Sequence, residues 1–436
     1  MPTFKTILAD RKRQDGSRNV KIRVTHRRQS LKVATNIYVD DKQVSRAGKI
    51  KDERVNDLCN AMVRRWRELA SELGTADELT VADVVHYIRE AEKRDTFVLD
   101  FIDYGRKKAA KMKPGTARVY TCALNALCRF TGIQSLDIRH ITVRFLEEFE
   151  SFIANEPVLH YDRNGKLHEQ ERKKEGGRAI SQYLGAIRAL HNRAKYEYND
   201  EDSGVILIPL SPFNKYRVKQ PPTAKNRAVA LEVVQAIADL PDFESVKVRA
   251  SRLNRANLAR DLFLLSFGLA GMNSADIWAL KKTSLCGDVI TYERAKTASR
   301  RRDRARMQIR IEPQVWPIVE RWLDRTKSES LFVFRSYYDS SEQLNSAINQ
   351  GLKVCLQRLD ESLAPDNLTH YMARHSWATI ARSSLLNIDK YTVHEALNHI
   401  DSNMKVTDIY IARDWSNIWD ANAKVVGLVD WTKIGG

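Results

Sequence analysis

The segment THYMARHSWATIA, residues 369–381, sets one arginine between two histidines. Residues three and four apart share one face of a helix, so His370 and Tyr371 are expected on the side from which Arg374 projects. His375 lies about 100° further around the helix. A guanidinium binds phosphate oxygens through paired, charge-assisted hydrogen bonds, so Arg374 is suited to holding a phosphate group.

A second basic segment, residues 293–310, contains eight Lys or Arg and two acidic residues and bridges two runs that read as strands. Side chains two apart on a strand point the same way, so Arg294 and Lys296 are predicted to lie on one strand face and to converge. For the arginines that follow, among them Arg301 and Arg302, we expect a solvated or phosphate-contacting position in place of a catalytic one.

The segment HEALNH, residues 394–399, contains two histidines that invite a zinc-site interpretation. Five residues of a continuous helix correspond to a rotation of about 500°, so His394 and His399 should diverge by about 140° and cannot share one zinc ion. Phosphate-loop, dinucleotide-binding and serine-hydrolase motifs are absent from the sequence. We therefore expect neither a metal nor a nucleotide cofactor.

The elements that must position these residues divide the chain into three parts. Residues 1–93 begin with β-rich runs around polar turns and continue with helical periodicity, and residues 94–210 predict an all-α domain. The stretch 209–227, with four prolines and five Lys or Arg, predicts a basic linker at 211–227. Residues 228–436 predict an α+β domain of catalytic size. The expected fold class is multidomain and mainly α, with a small β-rich N-terminal domain.

Composition favours a polyanionic partner. The formal net charge is +17 and the pI is about 9.6. Residues 1–75 alone hold 18 Lys or Arg and 9 Asp or Glu, a net of +9. Clustered cations displace counterions from nucleic-acid phosphates, although a charge run can also be a solvated face.

Other function classes find little support in the composition. The longest apolar run, residues 262–272, is far short of the roughly 20 residues that span a membrane. Five scattered cysteines form no C-x-x-C pair, which speaks against a zinc site or a disulfide framework. A soluble protein of a reducing, cytoplasmic compartment is expected.

Three blocks in order resemble the tyrosine recombinase (phage integrase) family: YERAKT (292–297), ARHSWATIA (373–381) and LNHIDSNMKVTDIYI (397–411). The second block resembles the family's R-H-[ST]-x-A-T motif, and the third resembles its L-G-H motif followed by a T-x-x-Y nucleophile. The layout of the whole chain resembles that of integrases of conjugative transposons and related mobile elements. In those proteins an arm-type DNA-binding domain and a core-binding domain precede the catalytic domain.

The resemblance implies a specific chemistry. The hydroxyl of Tyr410 would attack a DNA phosphodiester and form a 3′-phosphotyrosyl link. Arg374 would hold the phosphate, His399 would donate a hydrogen bond to it, and Lys296 would protonate the 5′-oxygen that leaves. Because the covalent intermediate retains the bond energy, no cofactor is implied.

Two positions depart from the family pattern. The family's T-G-x-R-x-x-E-[IL] block corresponds to AGMNSADI (270–277), where Asn273 replaces the arginine. Arg294 is our candidate for returning that charge to the phosphate. The family's H-x-x-R motif places its histidine three residues before the arginine, where this chain has Tyr371. Either Tyr371 or His370 is expected to fill that role.

The resemblance also implies partners. These are double-stranded DNA at core and arm sites, a homotetramer on DNA, and accessory bending or directionality proteins, in a nucleoid-associated cytoplasmic setting. The tail at 414–431 would dock on its own domain or on a neighbouring protomer. A non-catalytic DNA-binding protein derived from the family is the alternative, whereas the arm-like N-terminal domain argues against a type IB topoisomerase. The expected DNA-contacting residues are Arg23, Arg27, Arg28, Lys32, Arg178, Arg301 and Arg302.

Overall fold

The computed structural model describes residues 1–73, 78–161, 166–170, 177–202, 205–220, 227–244, 253–399 and 414–434. The chain forms two compact units, residues 1–223 (the N-terminal unit) and 224–436 (the C-terminal unit). It is a mostly helical, multidomain protein with small sheets. Across the described ranges, no helix combines the length and the apolar composition needed to cross a membrane.

The N-terminal unit begins with an antiparallel sheet in the order β1-β2-β3, which confirms the β-rich start. Alternation along β2 buries Ile22 and Val24, and Val33 of β3 joins them in a core closed by two helices. The elements are β1 Thr3–Leu8, β2 Arg18–His26, β3 Gln29–Val39, α1 Glu53–Glu72 and α2 Val81–Thr96.

The helical part of the N-terminal unit has its own hydrophobic cluster, in which Leu124, Phe149 and Leu184 are fully buried. A short hairpin that the sequence did not predict interrupts the helices. The elements are α3 Phe101–Ala109, α4 Pro114–Thr131, α5 Val143–Asn155, β4 Val158–Tyr161, β5 Leu167–Gln170, α6 Gly177–Tyr198 and α7 Pro212–Lys215.

The predicted linker at 211–227 is wrong for its first part. Residues 212–215 form α7, and the buried Tyr216 donates its hydroxyl hydrogen to Glu150. Lys219 forms an ion pair with the same carboxylate at 2.7 Å. These contacts attach the segment to the helical core. Its aromatic side chains are buried against that core, and the burial stabilises a packed segment even though the prolines in the sequence favoured a linker. The other proposed domain boundaries stay predictions.

The C-terminal unit combines helices with a three-stranded antiparallel sheet in the order β6-β7-β8, as expected of an α+β domain. Its elements are α8 Leu231–Ala238, α9 Arg255–Gly268, α10 Ser274–Ala279, β6 Leu285–Cys286, β7 Val289–Glu293, β8 Arg306–Arg310, α11 Trp316–Trp322, α12 Ser341–Leu356, α13 His370–Arg382, α14 Lys390–Ala396 and α15 Ser416–Val426.

Helix α9 is the centre of this unit, since every residue from 256 to 268 is buried. A buried acid–base pair fixes it: Arg260 Nε donates to Asp261 at 2.9 Å, and Trp322 Nε1 donates to the other oxygen of that carboxylate at 2.9 Å. Buried charges are tolerated when they are paired and hydrogen-bonded in this way. The turn after α9 therefore begins at the end of a helix that is firmly held in the core.

The C-terminal helix α15 packs on its own unit through Ile418, Val425 and Val426. The side chain of Asn422, fully buried, accepts hydrogen bonds from the Ala270 amide at 3.2 Å and from Trp377 Nε1 at 2.9 Å. It also donates to the Gly268 carbonyl at 2.8 Å. The tail thus connects the turn after α9 with helix α13.

Candidate active site

Arg374 projects from the first turns of α13 and is 6% exposed. Its Nη1 donates to the Gly271 carbonyl at 2.9 Å, and its Nη2 donates to the Leu397 carbonyl. The guanidinium is therefore held between the turn after α9 and the turn after α14. Carbonyl partners fix its orientation without neutralising its charge.

Gly271 lets these two segments approach each other. Its φ of +74° lies in the left-handed region, and a Cβ at this position would stand 2.8 Å from both Cα and Cγ of Arg374. No side chain fits in that space. Gly271 is a site residue that the sequence showed in AGMNSADI without showing its reason.

Arg294 meets Arg374 at the same carbonyl. It follows β7, is 8% exposed, and its Nη1 donates to Leu397 O at 3.2 Å and to Asn398 O at 3.3 Å. Burial, followed by the charge of Arg294, lowers the pKa of Arg374. Arg294 therefore lies beside Arg374, and Coulomb repulsion between two partly desolvated guanidiniums favours an anion between them.

Lys296 does not share a strand face with Arg294, so that prediction is wrong. Strand β7 ends at Glu293, and residues 295–297 form a turn in which the Thr297 amide donates to the Arg294 carbonyl at 3.0 Å. Lys296 is exposed in this turn. Its charge makes a small contribution to the lowered pKa of His399.

His399 lies two residues after the carbonyl that both arginines bind, and it is exposed. Burial, then the charges of Arg374 and Arg294, and further those of His394 and Lys296, lower the pKa of His399 to about 4. The imidazole is therefore neutral near pH 7. A neutral ring offers one N–H donor and one acceptor nitrogen, as a hydrogen bond to a phosphate oxygen requires.

The predicted divergence of the two HEALNH histidines is also wrong. Helix α14 ends at Ala396, and Asn398 adopts a left-handed φ of 50°. The ring centroids of His394 and His399 lie 5.2 Å apart with planes at 73°. Among the residues that the structure describes, no group of three or more His, Cys, Asp or Glu could hold a metal ion.

The two candidates before Arg374 differ in their surroundings. His370 is 2% exposed, and burial lowers its pKa to about 4. Its Nε2 has no hydrogen-bond partner within the described part of the chain, and reaching a phosphate would require it to leave the core. This burial contradicts a phosphate contact by His370. Tyr371 is 46% exposed and packs against the His375 ring at 4.9 Å between centroids.

Asp276 is a second site residue that sequence reasoning missed. It lies on α10 three residues after Asn273, is buried, and accepts a hydrogen bond from the Ala295 amide at 2.9 Å. Burial raises its pKa, while that amide and the charge of Arg294 oppose the increase. The signal was its alignment with the glutamate of the T-G-x-R-x-x-E block.

Tyr410 lies outside the described residues, so its position relative to these cations stays a prediction. The described chain stops at His399 and resumes at Asp414. Both ends are held, because the His399 amide donates to His394 O at 3.1 Å and Trp419 Nε1 donates to Gln308 O at 3.0 Å. The intervening segment starts and ends on the C-terminal unit.

The N-terminal sheet carries a row of cations. Lys5 pairs with Arg23 across β1 and β2, and Arg23 pairs with Lys32 across β2 and β3. Like charges directly opposite each other destabilise a sheet. Asp10 relieves part of this repulsion through an ion pair with Lys32 at 3.6 Å. Such a row is suited to an anionic partner.

The turn between β2 and β3 consists of two arginines. Arg27 and Arg28 have φ of 49° and 63°, and both are exposed. Two left-handed residues between paired strands define a type I′ turn, in which Asn-Gly is preferred to bulky side chains. Arg27 Nη1 also donates to the Glu78 carbonyl at 3.4 Å.

The remaining DNA-binding candidates lie elsewhere. Arg178 is exposed on α6, and Arg302 is exposed in the loop between β7 and β8. Arg301 is engaged within the protein: its Nε donates to Asp303 at 2.7 Å, its Nη1 donates to Asn398 Oδ1 at 2.6 Å, and its side chain is 13% exposed. These bonds contradict a free phosphate-contacting Arg301.

Comparison with known proteins gives one family model and several structures. Residues 97–202 match the phage integrase SAM-like domain. A lambda integrase dimer bound to a COC′ core site is 13% identical, with 93% of this chain and 96% of that chain covered and a TM-score of 0.48. A lambda integrase tetramer bound to a Holliday junction is 13% identical, with 90% and 95% covered and a TM-score of 0.45. No curated protein shows significant sequence similarity to the chain.

Proposed function

We propose that this chain, a member of the tyrosine recombinase (phage integrase) family through the domain at residues 97–202, is a site-specific DNA recombinase that integrates or excises a mobile genetic element. One observation carries the proposal. Arg374 and Arg294 meet at the Leu397 carbonyl, two residues before His399, and their charges lower the pKa of that imidazole, a grouping that is suited to binding a phosphodiester. They also belong to a unit whose sequence blocks match the family in order.

The reaction is a transesterification. The Tyr410 oxygen bonds to phosphorus while the bond from phosphorus to the 5′-oxygen breaks. The phenol proton leaves to a base, and Lys296 gives its proton to the 5′-oxygen. A phenol with an ordinary pKa of about 10 is a weak nucleophile at neutral pH, so the surrounding cations must lower the barrier.

The two arginines act on the charge that develops in the transition state. Arg374 and Arg294 donate to the non-bridging oxygens, and His399 adds an N–H. Because the guanidiniums are already oriented by carbonyls and shielded from water, they need little reorganisation during the reaction. Tyr371, half exposed beside His375, would complete the contact with the phosphate.

The N-terminal unit would supply the DNA contacts that select a site. The cation row of Lys5, Arg23 and Lys32 and the Arg27–Arg28 turn form a surface suited to an arm site. The SAM-like domain at 97–202 would bind the core site, with Arg178 on its surface. A homotetramer on DNA, accessory bending or directionality proteins and a nucleoid-associated location in the cytoplasm belong to the same proposal.

A nicked suicide substrate that releases a short 5′-hydroxyl fragment tests the proposal, because the fragment diffuses away and traps the covalent intermediate. The full-length protein should form a protein–DNA adduct, and Tyr410→Phe, which keeps the ring and removes the nucleophile, should form none. Sequence-specific DNA binding without any adduct would instead support the alternative, a non-catalytic DNA-binding protein to which Asn273 points.

A further inference from the structure

The side chain of Asn398 fastens the loop between β7 and β8, residues 294–305, to the turn that carries His399, in addition to the bonds from Arg294 to the carbonyls of that turn. Asn398 is 3% exposed, and its amide donates to the Ala305 carbonyl at 2.8 Å. Its Oδ1 accepts the 2.6 Å bond from Arg301. Both functions of the amide are therefore used, one on Arg301 and one on Ala305.

The backbone of the loop is unusual where it approaches β8. Arg304 and Ala305 have left-handed φ of 52° each, although neither is Gly or Asn. The Arg294 amide donates to Ala305 O at 3.1 Å, the same carbonyl that Asn398 binds. The Asn398 side chain thus holds the end of the loop at Ala305, and the Arg294 amide ties the other end to the same carbonyl, with Lys296 between these ends in the sequence.

The backbone at Asn398 explains why an amide can serve here. The family's L-G-H motif has glycine at this position, and φ at Asn398 is 50°. Asparagine is among the residues that adopt this conformation most readily. This chain therefore keeps the turn and adds a side chain with a donor and an acceptor. Replacement by glycine would remove the amide without straining the backbone.

We propose that Asn398 is a positioning residue that holds the 294–305 loop, and with it Lys296, beside His399 before DNA binds. The inference rests on the proposed function in one respect, the role of Lys296 as the proton donor to the 5′-oxygen. The hold on the loop is independent of that role. Hydrogen exchange measures the hold on the loop, and cleavage of substrates with different leaving groups measures the effect on Lys296.

Hydrogen exchange tests the hold without requiring any activity. In full-length Asn398→Gly, amides of residues 294–305 should exchange about tenfold or more faster than in the parent, because the loop loses two hydrogen bonds while the turn keeps its geometry. Exchange in α9 should stay unchanged. Equal loop exchange in Asn398→Gly and the parent overturns the proposal, whatever the cleavage activity.

Leaving-group chemistry tests the link to Lys296. A substrate with sulfur in place of the bridging 5′-oxygen leaves as a thiolate, which needs no proton. Asn398→Gly should cleave the oxygen substrate about tenfold or more slowly and the sulfur substrate within about twofold of the parent. Lys296→Ala should show the same split. As a control, Arg304→Asn suits the left-handed backbone, loses the exposed ion pair with Glu293, and should match the parent on both substrates.

Two further outcomes are informative. An equal loss on the oxygen and sulfur substrates would show that Asn398 supports the phosphate clamp or the fold and would overturn the assignment to Lys296. If the parent forms no adduct with either substrate, the proposed function fails. The hydrogen-exchange result then decides alone whether Asn398 holds the loop.

Discussion

Two groups of arginines lie in very different surroundings in this molecule. At the tip of the N-terminal sheet, Arg27 and Arg28 are exposed on a two-residue turn. In the C-terminal unit, Arg294 and Arg374 are buried and share one carbonyl oxygen. Arg27 and Arg28 stay in water, so their placement carries little desolvation penalty. Arg294 and Arg374 repel each other, and the repulsion is stronger because burial lowers the local dielectric constant.

The two pairs are therefore expected to serve different purposes, the exposed pair in DNA binding and the buried pair in strand cleavage. Exposed cations contribute to DNA binding by releasing counterions, and this contribution to the affinity falls as the salt concentration rises. Buried cations that are held by carbonyls before the substrate arrives contribute when charge develops on a phosphate. The exposed pair should therefore affect binding and its salt dependence, whereas the buried pair should affect the rate of cleavage.

The largest expected effect comes from Arg294→Ala. Removing one preorganised cation from a shielded site should slow single-turnover cleavage of the suicide substrate by roughly 10²–10³-fold. Binding to core-site DNA should change far less, because one phosphate contact among many is lost. Thermal unfolding should report a folded protein, since the substitution also relieves repulsion against Arg374.

Arg310→Ala is the matched control, because this arginine is at the end of β8 and pairs with Glu312 at 3.1 Å. It should cleave at close to the rate of the parent. If Arg294→Ala cleaved as fast as the parent, Arg294 would not replace the charge absent at Asn273. The distinction between buried and exposed arginines would then lose its functional meaning.

Gly271→Ala should disturb the site through packing, in addition to the backbone strain at its left-handed φ. The new methyl would stand 2.8 Å from the Arg374 Cα, a backbone atom that cannot move away cheaply. We expect cleavage slower by about 10–10²-fold, since small displacements of a catalytic group have effects of this size. The free energy of unfolding should fall by about 1–3 kcal/mol.

Gly287→Ala provides the control for backbone strain. Gly287 also has a positive φ, +60°, but a Cβ added there would meet no atom of the described residues within 4 Å. The variant should lose stability from the left-handed backbone, about 1–2 kcal/mol, and leave cleavage unchanged. Equal cleavage by the two variants would mean that Arg374 tolerates displacement and that its fixed orientation is not required.

The sequence predicted those parts of the protein that local patterns determine. Alternation placed β1 to β3, whereas the roles that the family blocks imply for Arg374 and His399 stay predictions. The sequence did not predict where two elements end. Lys296 was expected on strand β7 and lies beyond it, and His399 was expected on one continuous helix with His394 and lies beyond α14. The left-handed Arg304, Ala305 and Asn398 give no Gly or Pro signal for those turns. Their conformations depend on long-range hydrogen bonds, which no local pattern encodes.

The same limit applies to the partners of the site residues. Nothing in the spacing showed that Leu397 would present its carbonyl to both arginines or that Asn398 would fasten the loop. Burial separated His370 from Tyr371, although the two are adjacent in sequence. Only the packing of α13 against α9 decides which of them faces the core.

The smallest expected effect belongs to the exposed pair. The double substitution Arg27→Asn and Arg28→Gly installs the residues that a type I′ turn prefers, so the unfolding temperature should stay equal or rise. Binding to arm-site DNA should weaken by up to about tenfold at low salt, with the dependence of log affinity on log salt reduced by up to about two, one phosphate per arginine. Cleavage by saturating protein should match the parent.

Lysine at both positions should restore the salt dependence, because it keeps the charge. An unchanged dependence in the Asn-Gly variant would mean that this turn is a solvated face, and the exposed arginines would then contribute neither affinity nor chemistry.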